Sequence, residues 1–311
     1  MEVIKIEGLV KRYGELLALD GFDLCVERGE IFGLLGPNGS GKTTAINCIL
    51  QLLAYDRGDI RLFGEKMAPN RYDLKRRIGV VPQEVAVLEE LTVRENIEFF
   101  CSLYVSDRAR CRKLVNEAIA FVGLEEYAFF RPKKLSGGLL RRLNIACGIA
   151  HKPELVFFDE PTVAVDPQSR GAILNGIAGL AREGTTVVYT SHYMEEVELI
   201  CSRIMIMDRG KVLAEGTNDE LKRLSSAGER ITVEAAAIPQ AALERLRANP
   251  NVIEATFEGH TLSVRCAPSP HNLADVMGVL SAARVAPGRV YSEPPSLNDV
   301  FLELTGRELR D

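Results

Sequence analysis

Apolar residues recur along the chain with two different periods. The first thirty residues, with "VIKIEGL" and "LLALDGFDLCVE" on either side of a polar "KRYGE", alternate apolar and polar positions and predict short, half-buried strands. The stretch "EIFGLLGPNGSGKTTAINCIL" then passes from an apolar run through a glycine-rich loop into a helical pattern. This order predicts an α/β unit in which the loop joins a buried strand to a helix.

The pattern is helical from about residue 84 to residue 150. Thr92 and Glu95 have the spacing of a capping box, and "SDRARCRKLVNEAIAFVG" predicts an amphipathic helix that ends at Gly123. The later runs "LVFFD" and "TVVYT" are apolar enough to be buried strands, and a helical stretch separates them. They indicate a parallel sheet with crossover connections.

Two features close this part of the chain. The stretch "RIMIMDRGKVLAEG" predicts a hairpin that turns at residues 208–210, and Thr217 with Glu220 predicts the start of a last helix. The small, polar "SSAGER" then predicts a linker at residues 225–229, between a domain at 1–224 and a second domain at 230–311. The second domain has the order βαββαβ, which resembles a small ferredoxin-like sandwich.

The composition is that of an ordinary globular protein. Of the 311 residues, 46% are hydrophobic, which is enough for a large core, and 38 basic against 43 acidic residues give a net charge of -5. A dedicated nucleic-acid surface is strongly basic, so this balance disfavours one. The seven cysteines lie in apolar stretches without the paired spacing of zinc sites. We expect them to be reduced and mostly buried, in a cytosolic protein.

The sequence shows no pattern for secretion and none for insertion into a membrane. The N-terminus "MEVIKIEGL" lacks the basic-then-apolar pattern of a signal peptide. No run approaches the roughly 18 to 20 apolar residues of a membrane span. We therefore expect no signal peptide and no transmembrane segment, so that another polypeptide supplies any contact with the membrane interior.

The loop "GPNGSGKT" fits the pattern G-x-x-x-x-G-K-[ST] between a predicted strand and a predicted helix. Its glycines allow successive backbone N–H groups to surround phosphate oxygens, Lys42 can reach the β and γ phosphates, and the Thr43 hydroxyl can bind Mg²⁺. The predicted nucleotide-binding residues are Gly36, Pro37, Asn38, Gly39, Ser40, Gly41, Lys42, Thr43 and Thr44.

Polar residues at the ends of neighbouring strands predict the chemistry. Asp159 and Glu160 end the buried "LVFFDE", where Asp159 can hold Mg²⁺ and Glu160 can act as general base toward a water that attacks the γ-phosphate. His192 ends the next strand and can contact the γ-phosphate or Glu160, although a lone histidine is more often structural. Gln83 can offer its amide oxygen to the metal or the water. Tyr13 can stack on adenine, with a half-buried turn tyrosine as the alternative.

A second anion-binding element lies about a hundred residues after the phosphate loop, in "KKLSGGLLRRLNIACG". A serine and two glycines open an amphipathic helix with apolar residues on one side and Arg141, Arg142 and Asn144 elsewhere. Such a helix start can bind an anion, because its free N–H groups and its dipole face outward. The residues of this element are Ser136, Gly137 and Gly138.

Together, "GPNGSGKTT", Gln83, "LSGG", "FFDEPT" and "TSH" resemble the motifs of an ABC-type ATPase in order and spacing. The resemblance spans roughly residues 2–223, and the Ser-Gly-Gly signature distinguishes it from other P-loop proteins. It implies a P-loop NTPase α/β fold with an antiparallel β subdomain and a helical subdomain at about residues 84–150. A small C-terminal α+β domain would follow. The resemblance also implies ATP and Mg²⁺ as ligands.

Each motif position carries a role over from the family. The resemblance implies that Tyr13 stacks adenine and that the metal ligands are Thr43, Gln83 and Asp159. It makes Glu160 the catalytic base, His192 the switch histidine and Gln83 the lid residue that senses metal and water. The residues expected to act on a partner subunit's ATP are Ser136, Gly137, Gly138 and Asp166, the last of which crosses a dimer interface.

The family also implies partners. Two ATPase domains pack head to tail, so that each signature closes over the γ-phosphate held by the other subunit. This chain has one copy of each motif, so we expect it to pair with a second copy of itself and with a transmembrane permease, at the cytoplasmic face of the membrane. The helical segment beginning "EVAVLEELTVRENI" is where the family receives the permease. No nucleic-acid partner is expected.

Three further stretches, "DEPTVAVDPQSR", "TSHYMEEVE" and "PSLNDVFLELTG", resemble ATPase subunits of bacterial exporters that move drugs, sodium or lipid-linked molecules. Two positions depart from the family pattern. Leu139 replaces the glutamine most common after Ser-Gly-Gly, and Ala164 stands where relatives usually have glycine. Either can slow hydrolysis, but neither removes a phosphate ligand or the catalytic carboxylate.

The predicted function is therefore ATP hydrolysis that powers export. The alternative is a soluble ABC-type ATPase that acts on nucleic acid or ribosomes without a permease. The interval of about ninety residues between Lys42 and Ser136 is too short for the coiled coil of chromosome-maintenance relatives, and ribosome-acting relatives usually carry two cassettes. A third reading, a nucleotide-binding regulator that does not hydrolyse, is disfavoured by Glu160.

Overall fold

The computed structural model describes residues 1–163, 165–225 and 228–305. The chain divides into two compact units, of which the first spans Met1–Thr217 and the second begins at Asn218. The short helix before the expected linker therefore belongs to the second unit. Ala164, part of the expected linker and the last six residues of the expected second domain lie outside the described residues.

The first unit contains both strands and helices. Its strands are β1 (Glu2–Tyr13), β2 (Leu16–Glu27), β3 (Ile31–Leu35), β4 (Arg57–Leu62), β5 (Glu65–Lys66), β6 (Ile78–Val81), β7 (Leu155–Asp159), β8 (Thr186–Ser191), β9 (Arg203–Asp208) and β10 (Lys211–Gly216). Its helices are α1 (Lys42–Ile49), α2 (Tyr72–Lys75), α3 (Val93–Ser102), α4 (Arg108–Phe121), α5 (Gly137–Ile149), α6 (Pro167–Arg182) and α7 (Met194–Ile200). Single 3-10 turns occupy Glu125–Tyr127 and Pro132–Lys134.

The central sheet has the strand order β10-β9-β3-β8-β7-β6. All neighbouring pairs from β9 to β6 are parallel, and β10 closes the edge as the predicted antiparallel hairpin partner of β9. Every residue of β3, β7 and β8 is buried. Such continuous burial is what parallel strands covered on both faces require, and it explains why "IFGLL" and the "LVFF" before Asp159 are apolar throughout.

The second sheet of this unit has the order β2-β1-β4-β5 and is antiparallel. Here the prediction was wrong for β1, which has twelve residues, whereas β2 coincides with the predicted stretch "LLALDGFDLCVE". The polar stretch does not separate the strands: Lys11, Arg12 and Tyr13 continue the pairing, and Tyr13 lies opposite Leu16 across a two-residue turn. Register shifts along this pair accommodate the polar residues without ending the strands.

Helices α3, α4 and α5 form a helical subdomain around their own core. Helix α3 begins with the predicted capping box, in which Thr92 Oγ1 accepts from the backbone of Glu95 and the Glu95 carboxylate accepts from the backbone of Thr92. Helix α4 ends at Phe121, two residues before Gly123. The apolar faces meet in a core that includes Ile97, Leu114 and Leu143.

The second unit contains one sheet and four helices among its described residues. The elements are α8 (Asn218–Lys222), β11 (Glu229–Glu234), α9 (Gln240–Arg247), β12 (Val252–Glu258), β13 (Thr261–Cys266), α10 (Asn272–Ala282), β14 (Val290–Glu293) and α11 (Leu297–Thr305). The strand order β12-β13-β11-β14 is antiparallel throughout. This is the ferredoxin-like arrangement that the βαββαβ order predicts.

The structure bears on two further features of the sequence, the cysteines and the length of the apolar helices. All seven cysteines are free, six are buried and Cys25 is half-buried, which confirms the predicted burial. Among the described residues, no helix combines the length and the apolar character needed to cross a bilayer.

Candidate functional site

The phosphate loop joins β3 to α1 through a backbone that requires glycine. Gly41 has a φ of 109°, and a Cβ there would lie 2.8 Å from the carbonyl oxygen of Ala18, so a larger residue is excluded twice over. The turn directs the chain into α1 with the free N–H groups of the first helical turn. The hydroxyl of Ser40 in this loop is buried and has no hydrogen-bond partner among the described residues. The loop therefore presents N–H and hydroxyl groups that can bind a phosphate.

Lys42 lies between the loop and a carboxylate. Its Nζ donates a 2.7 Å hydrogen bond to the carbonyl of Gly36 and lies 3.3 Å from Oε1 of Glu160. The Lys42 and Glu160 side chains are each 5% exposed. Burial lowers the pKa of the Lys42 ammonium, and the Glu160 carboxylate opposes that shift. The structure thus holds a charged amine at the loop, where phosphate oxygens would compete for it.

Both oxygens of Asp159 are held by hydroxyl groups. Thr43 Oγ1 donates to Oδ2 at 2.9 Å, and Thr190 Oγ1 of β8 donates to Oδ1 at 2.6 Å. Carboxylate and hydroxyl oxygens are ligands that suit Mg²⁺, so the adjacent oxygens of Thr43 and Asp159 fit a magnesium site. Thr190 is a site residue that sequence reasoning missed, since a buried strand threonine has no signal of its own.

Three predicted residues meet at Glu160. Its Oε2 accepts from Nε2 of Gln83 at 3.3 Å and lies 3.1 Å from Nδ1 of His192, while its Oε1 faces Lys42. The backbone N–H of Glu160 donates to Thr190 Oγ1 at 3.0 Å. Glu160 has a φ of 47°, in the left-handed region that non-glycine residues seldom adopt. Backbone strain of this kind is concentrated at functional sites.

Tyr13 is the last residue of β1 and is 47% exposed. Lys11 Nζ lies 4.9 Å from the centroid of its ring, so the ring already serves as a cation-binding face. No described hydrogen bond joins Tyr13 to the phosphate loop. Its predicted role in stacking adenine stays a prediction.

The signature and the interface aspartate form a second cluster. Ser136 caps α5 by accepting from the backbone of Leu139 at 3.3 Å, and Asp166 caps α6 by accepting from the backbone of Ser169 at 2.9 Å. A Cβ on Gly138 would lie 3.2 Å from Asp166 Oδ2 and 3.1 Å from Ser169 Oγ. The two helix starts are therefore adjacent. Hydrogen bonds from Ser169 lower the pKa of the exposed Asp166 carboxyl.

Two buried polar residues of α5 hold the lid backbone. Arg141 Nη1 donates to the carbonyls of Gln83 at 2.6 Å and Pro82 at 3.3 Å. Asn144 Nδ2 donates to Pro82 at 3.1 Å, and its Oδ1 accepts from the N–H of Ala86 at 3.0 Å. Sequence reasoning placed both residues off the apolar face without a role. Their spacing of three residues, which puts them on one helix face, was the available signal.

The parallel sheet, the phosphate loop and the strand-end carboxylates define a P-loop nucleoside triphosphatase. Residues 19–163 match the family model of the ABC transporter, and residues 216–305 match that of the C-terminal domain of DrrA1-3-like ATP-binding proteins. The chain belongs to the ATP-binding subunits of ABC transporters, which hydrolyse ATP to drive transport. The predicted family, fold class and ATPase activity are thereby confirmed.

Individual relatives match along nearly the whole chain. The linearmycin resistance ATP-binding protein LnrL of Bacillus subtilis is 37% identical over 311 residues, covering 99% of this chain and 100% of that protein. The Nod factor export ATP-binding protein I of Ralstonia nicotianae is 36% identical over 310 residues, covering 99% of this chain and 95% of that protein.

Solved structures match about seven tenths of the chain. An ATP-binding subunit of an ABC transporter matches with a TM-score of 0.66 and 27% identity, covering 71% of this chain and 92% of that chain. A dimeric ATP-binding cassette in a post-hydrolysis state, bound to ADP and Pi, matches with a TM-score of 0.63 and 28% identity. That match covers 69% of this chain and 98% of the cassette.

Proposed function

We propose that this chain is the ATP-hydrolysing subunit of an exporter and that it works as a head-to-tail pair attached to a transmembrane permease. The observation that carries the catalytic part is the convergence of Lys42, Gln83 and His192 on the carboxylate of Glu160. The exporter assignment is supported by relatives named for drug resistance and for Nod factor export.

Nucleotide binding follows from the loop and its flanks. The N–H groups of Gly36 and of residues 38–44 and the ammonium of Lys42 bind the β and γ phosphates, and Tyr13 stacks on adenine. The unpaired hydroxyl of Ser40 gains a hydrogen-bond partner when phosphate enters. Thr43, Asp159 and Gln83 are the residues that would hold Mg²⁺. When bound there, Mg²⁺ neutralises charge on the transferring phosphoryl group.

Glu160 is the base in this mechanism. Water attacks the γ-phosphorus, its proton passes to a Glu160 oxygen, and the bond to the β–γ bridging oxygen breaks to release ADP. His192 and Gln83 hold Oε2 of Glu160 from two sides, so the carboxylate is oriented before substrate binds. Lys42 exchanges its contact with Oε1 for contacts with phosphate oxygens, which leaves Oε1 for the water.

The paired state completes each site. Ser136, Gly137 and Gly138 open a helix whose N–H groups are suited to a γ-phosphate, and Asp166 stands beside them. Ser136, Gly137 and Asp166 are exposed in the single chain and can therefore reach a second subunit, whereas Gly138 is buried beside Asp166 and Ser169. Two ATP molecules bound between two chains would favour the closed pair, and hydrolysis would release it. The dimeric form of a similar cassette supports this arrangement.

The permease would dock on the helical subdomain. Exposed apolar side chains surround the start of α3: Leu88 at 41% exposure, Phe129 at 78% and Phe130 at 42%. Asn96 holds the Leu88 segment to α3 through three backbone carbonyls, and the N–H of Val93 donates to the carbonyl of Phe130. These exposed apolar side chains suit a protein partner, which would hold the chain at the cytoplasmic face of a membrane.

Co-expression tests the proposal. The chain is produced together with the permease encoded beside it, purified in detergent and reconstituted in vesicles, and ATP turnover is measured with candidate export substrates. We expect the two proteins to co-purify and at least one substrate to stimulate turnover, with Glu160→Gln abolishing both basal and stimulated rates. A chain that copurifies with RNA instead of a permease, or a Glu160→Gln variant with unchanged turnover, would contradict the proposal.

A further inference from the structure

A second carboxylate, Glu196 in the first turn of α7, is buried near the site and has no role in the mechanism above. The residue is 3% exposed. Its Oε2 accepts three hydroxyl hydrogen bonds: from Tyr189 at 2.7 Å, from Thr162 at 2.8 Å and from Ser191 at 3.1 Å. One oxygen of this carboxylate is therefore fully occupied and fixed in place.

The other oxygen faces a single cation. Arg170 Nε lies 3.3 Å from Oε1 of Glu196, and neither atom has a hydrogen-bond partner among the described residues, so the contact is an ion pair. The Arg170 guanidinium also lies 4.8 Å from the ring centroid of Tyr193, whose ring is 4.1 Å from that of His192. Hydrogen bonds thus fix Oε2 of Glu196, whereas only the ion pair with Arg170 holds Oε1.

The groups that contact Glu196 belong to three segments of the proposed site. The first segment follows the base Glu160, the second contains the switch histidine His192, and the third is helix α6, which Asp166 caps. The contacts with these segments come from Thr162, from Tyr189 and Ser191, and from Arg170 respectively. Ser191 Oγ also accepts from the backbone of Tyr193, which fixes the turn around His192.

We propose that Glu196 is a positioning residue for ATP hydrolysis. Through its hydroxyl partners Glu196 fixes the position of Glu160 relative to His192. Through its ion pair with Arg170 it makes that relative position depend on the position of helix α6. Because a buried carboxylate that loses its cation is strongly disfavoured, the arrangement with Arg170 seated is preferred. Packing of a second chain against Asp166, at the start of helix α6, would therefore change the position of Glu160. The inference rests on the proposed roles of Glu160, His192 and Asp166.

The test compares four variants of the full chain in a steady-state ATPase assay with Mg²⁺. Glu196→Gln keeps an oxygen for the three hydroxyl donors and removes the charge, while Arg170→Gln removes the cation. Glu195→Gln is the matched control, since Glu195 is exposed on the same helix. We expect Glu196→Gln and Arg170→Gln each to lower kcat by about tenfold to a hundredfold, with the KM for ATP within about twofold.

The double variant decides whether the two residues act together. If the ion pair is the link, Glu196→Gln combined with Arg170→Gln lowers kcat no further than the worse single variant. Should Glu196→Gln fail to fold, Arg170→Gln at its half-exposed position still supplies the test. Wild-type kcat in both single variants, or losses that multiply in the double variant, would overturn the inference. Turnover by Glu160→Gln in the same assay would overturn the proposed function instead.

Discussion

Arg141 Nη1 donates a 2.6 Å hydrogen bond to the carbonyl oxygen of Gln83. The helix that begins with the signature is thereby attached to the backbone of the residue that contacts Glu160. Asn144, one turn further along the same helix, reinforces the attachment at Pro82 and Ala86. A displacement of α5 on closure over a partner's ATP would therefore move the lid of the same chain, which would link the two nucleotide sites of a pair.

We expect Arg141→Met to lower kcat by about tenfold with little change in ATP affinity, because the lid amide would lose its fixed position while the phosphate loop is untouched. The part-buried carbonyls of Pro82 and Gln83 would also lose a donor, which costs about 1 kcal/mol of stability. ATP turnover and urea unfolding measure the two effects.

The matched control for this prediction is Arg112→Met, an exposed position on α4. It makes the same change of charge and leaves the lid contacts intact, so kcat should stay at the wild-type value. A variant at Arg141 that loses stability but keeps the wild-type kcat would show that the attachment serves folding alone.

Complementation between two inactive chains tests the head-to-tail pair. Lys42→Ala removes the phosphate ligand, and Gly137→Arg obstructs the signature, where a new Cβ meets nothing within 4 Å in the chain itself. Each variant alone should be inactive. A mixed pair contains one site with both elements intact, so an equimolar mixture should recover roughly a quarter of wild-type turnover if pairing is random and the sites act independently.

Gly278→Arg, in α10 of the second unit, is the control for the added arginine, since its Cβ also meets nothing within 4 Å. It should keep wild-type turnover alone. Activity of Gly137→Arg by itself would mean that the signature is not needed, and absence of recovery on mixing with Lys42→Ala would mean that the sites are not shared between chains.

Much of this site is local in sequence and was therefore predictable. The phosphate loop needs glycines and Lys42 at fixed spacing, and a carboxylate after a buried strand must lie at the carboxyl edge of the sheet, which brings Asp159 to Thr43. The meeting of Gln83 and His192 at Glu160 follows from the same rule for parallel strands. The fold was predictable for the same reason, because the strands and helices alternate in clear periods.

The remaining features depend on partners far apart in the chain. Glu196 has the pattern of an ordinary acidic residue in the first turn of a helix, where charge alone would explain it. Its burial follows from hydroxyls on Tyr189 and Thr162, which no period encodes. The length of β1 was missed because polar residues such as Arg12 can pair in a strand as long as the turn beyond them is tight.

Leu139, which replaces the common glutamine of the signature, is half-buried against the core of the helical subdomain. We expect Leu139→Gln to lower the free energy of unfolding by about 1 kcal/mol through lost apolar contact and to leave kcat within about twofold. Leu140→Gln, at a half-buried position on the same core, should cost a similar amount. Unchanged stability with a large rise in turnover would assign Leu139 to catalysis.

The buried side chain of His151 should make the stability of the first unit depend on pH. Its ring stacks on Tyr104 at 3.9 Å between centroids, and Nε2 lies 3.1 Å from the carbonyl of Ile78. Burial lowers the pKa of His151 from 6.5 to about 4, against a smaller opposing effect of Ile78. The folded chain therefore binds this proton less readily than the unfolded chain does, so that stability falls as the pH drops from 6.5 toward 4.

The size of this effect follows from the two pKa values. Above pH 6.5 neither state carries the proton and His151 has no influence, whereas below it the loss is about 1.4 kcal/mol per pH unit, or about 2 kcal/mol at pH 5. Urea unfolding at pH 7.5 and pH 5 should show this loss in the wild type and in His260→Gln, whose histidine is exposed. His151→Gln keeps an amide donor for Ile78 but cannot titrate, so its loss should be about 2 kcal/mol smaller. An equal loss in all three chains would mean that His151 does not titrate between these pH values, and its buried ring would then contribute packing alone.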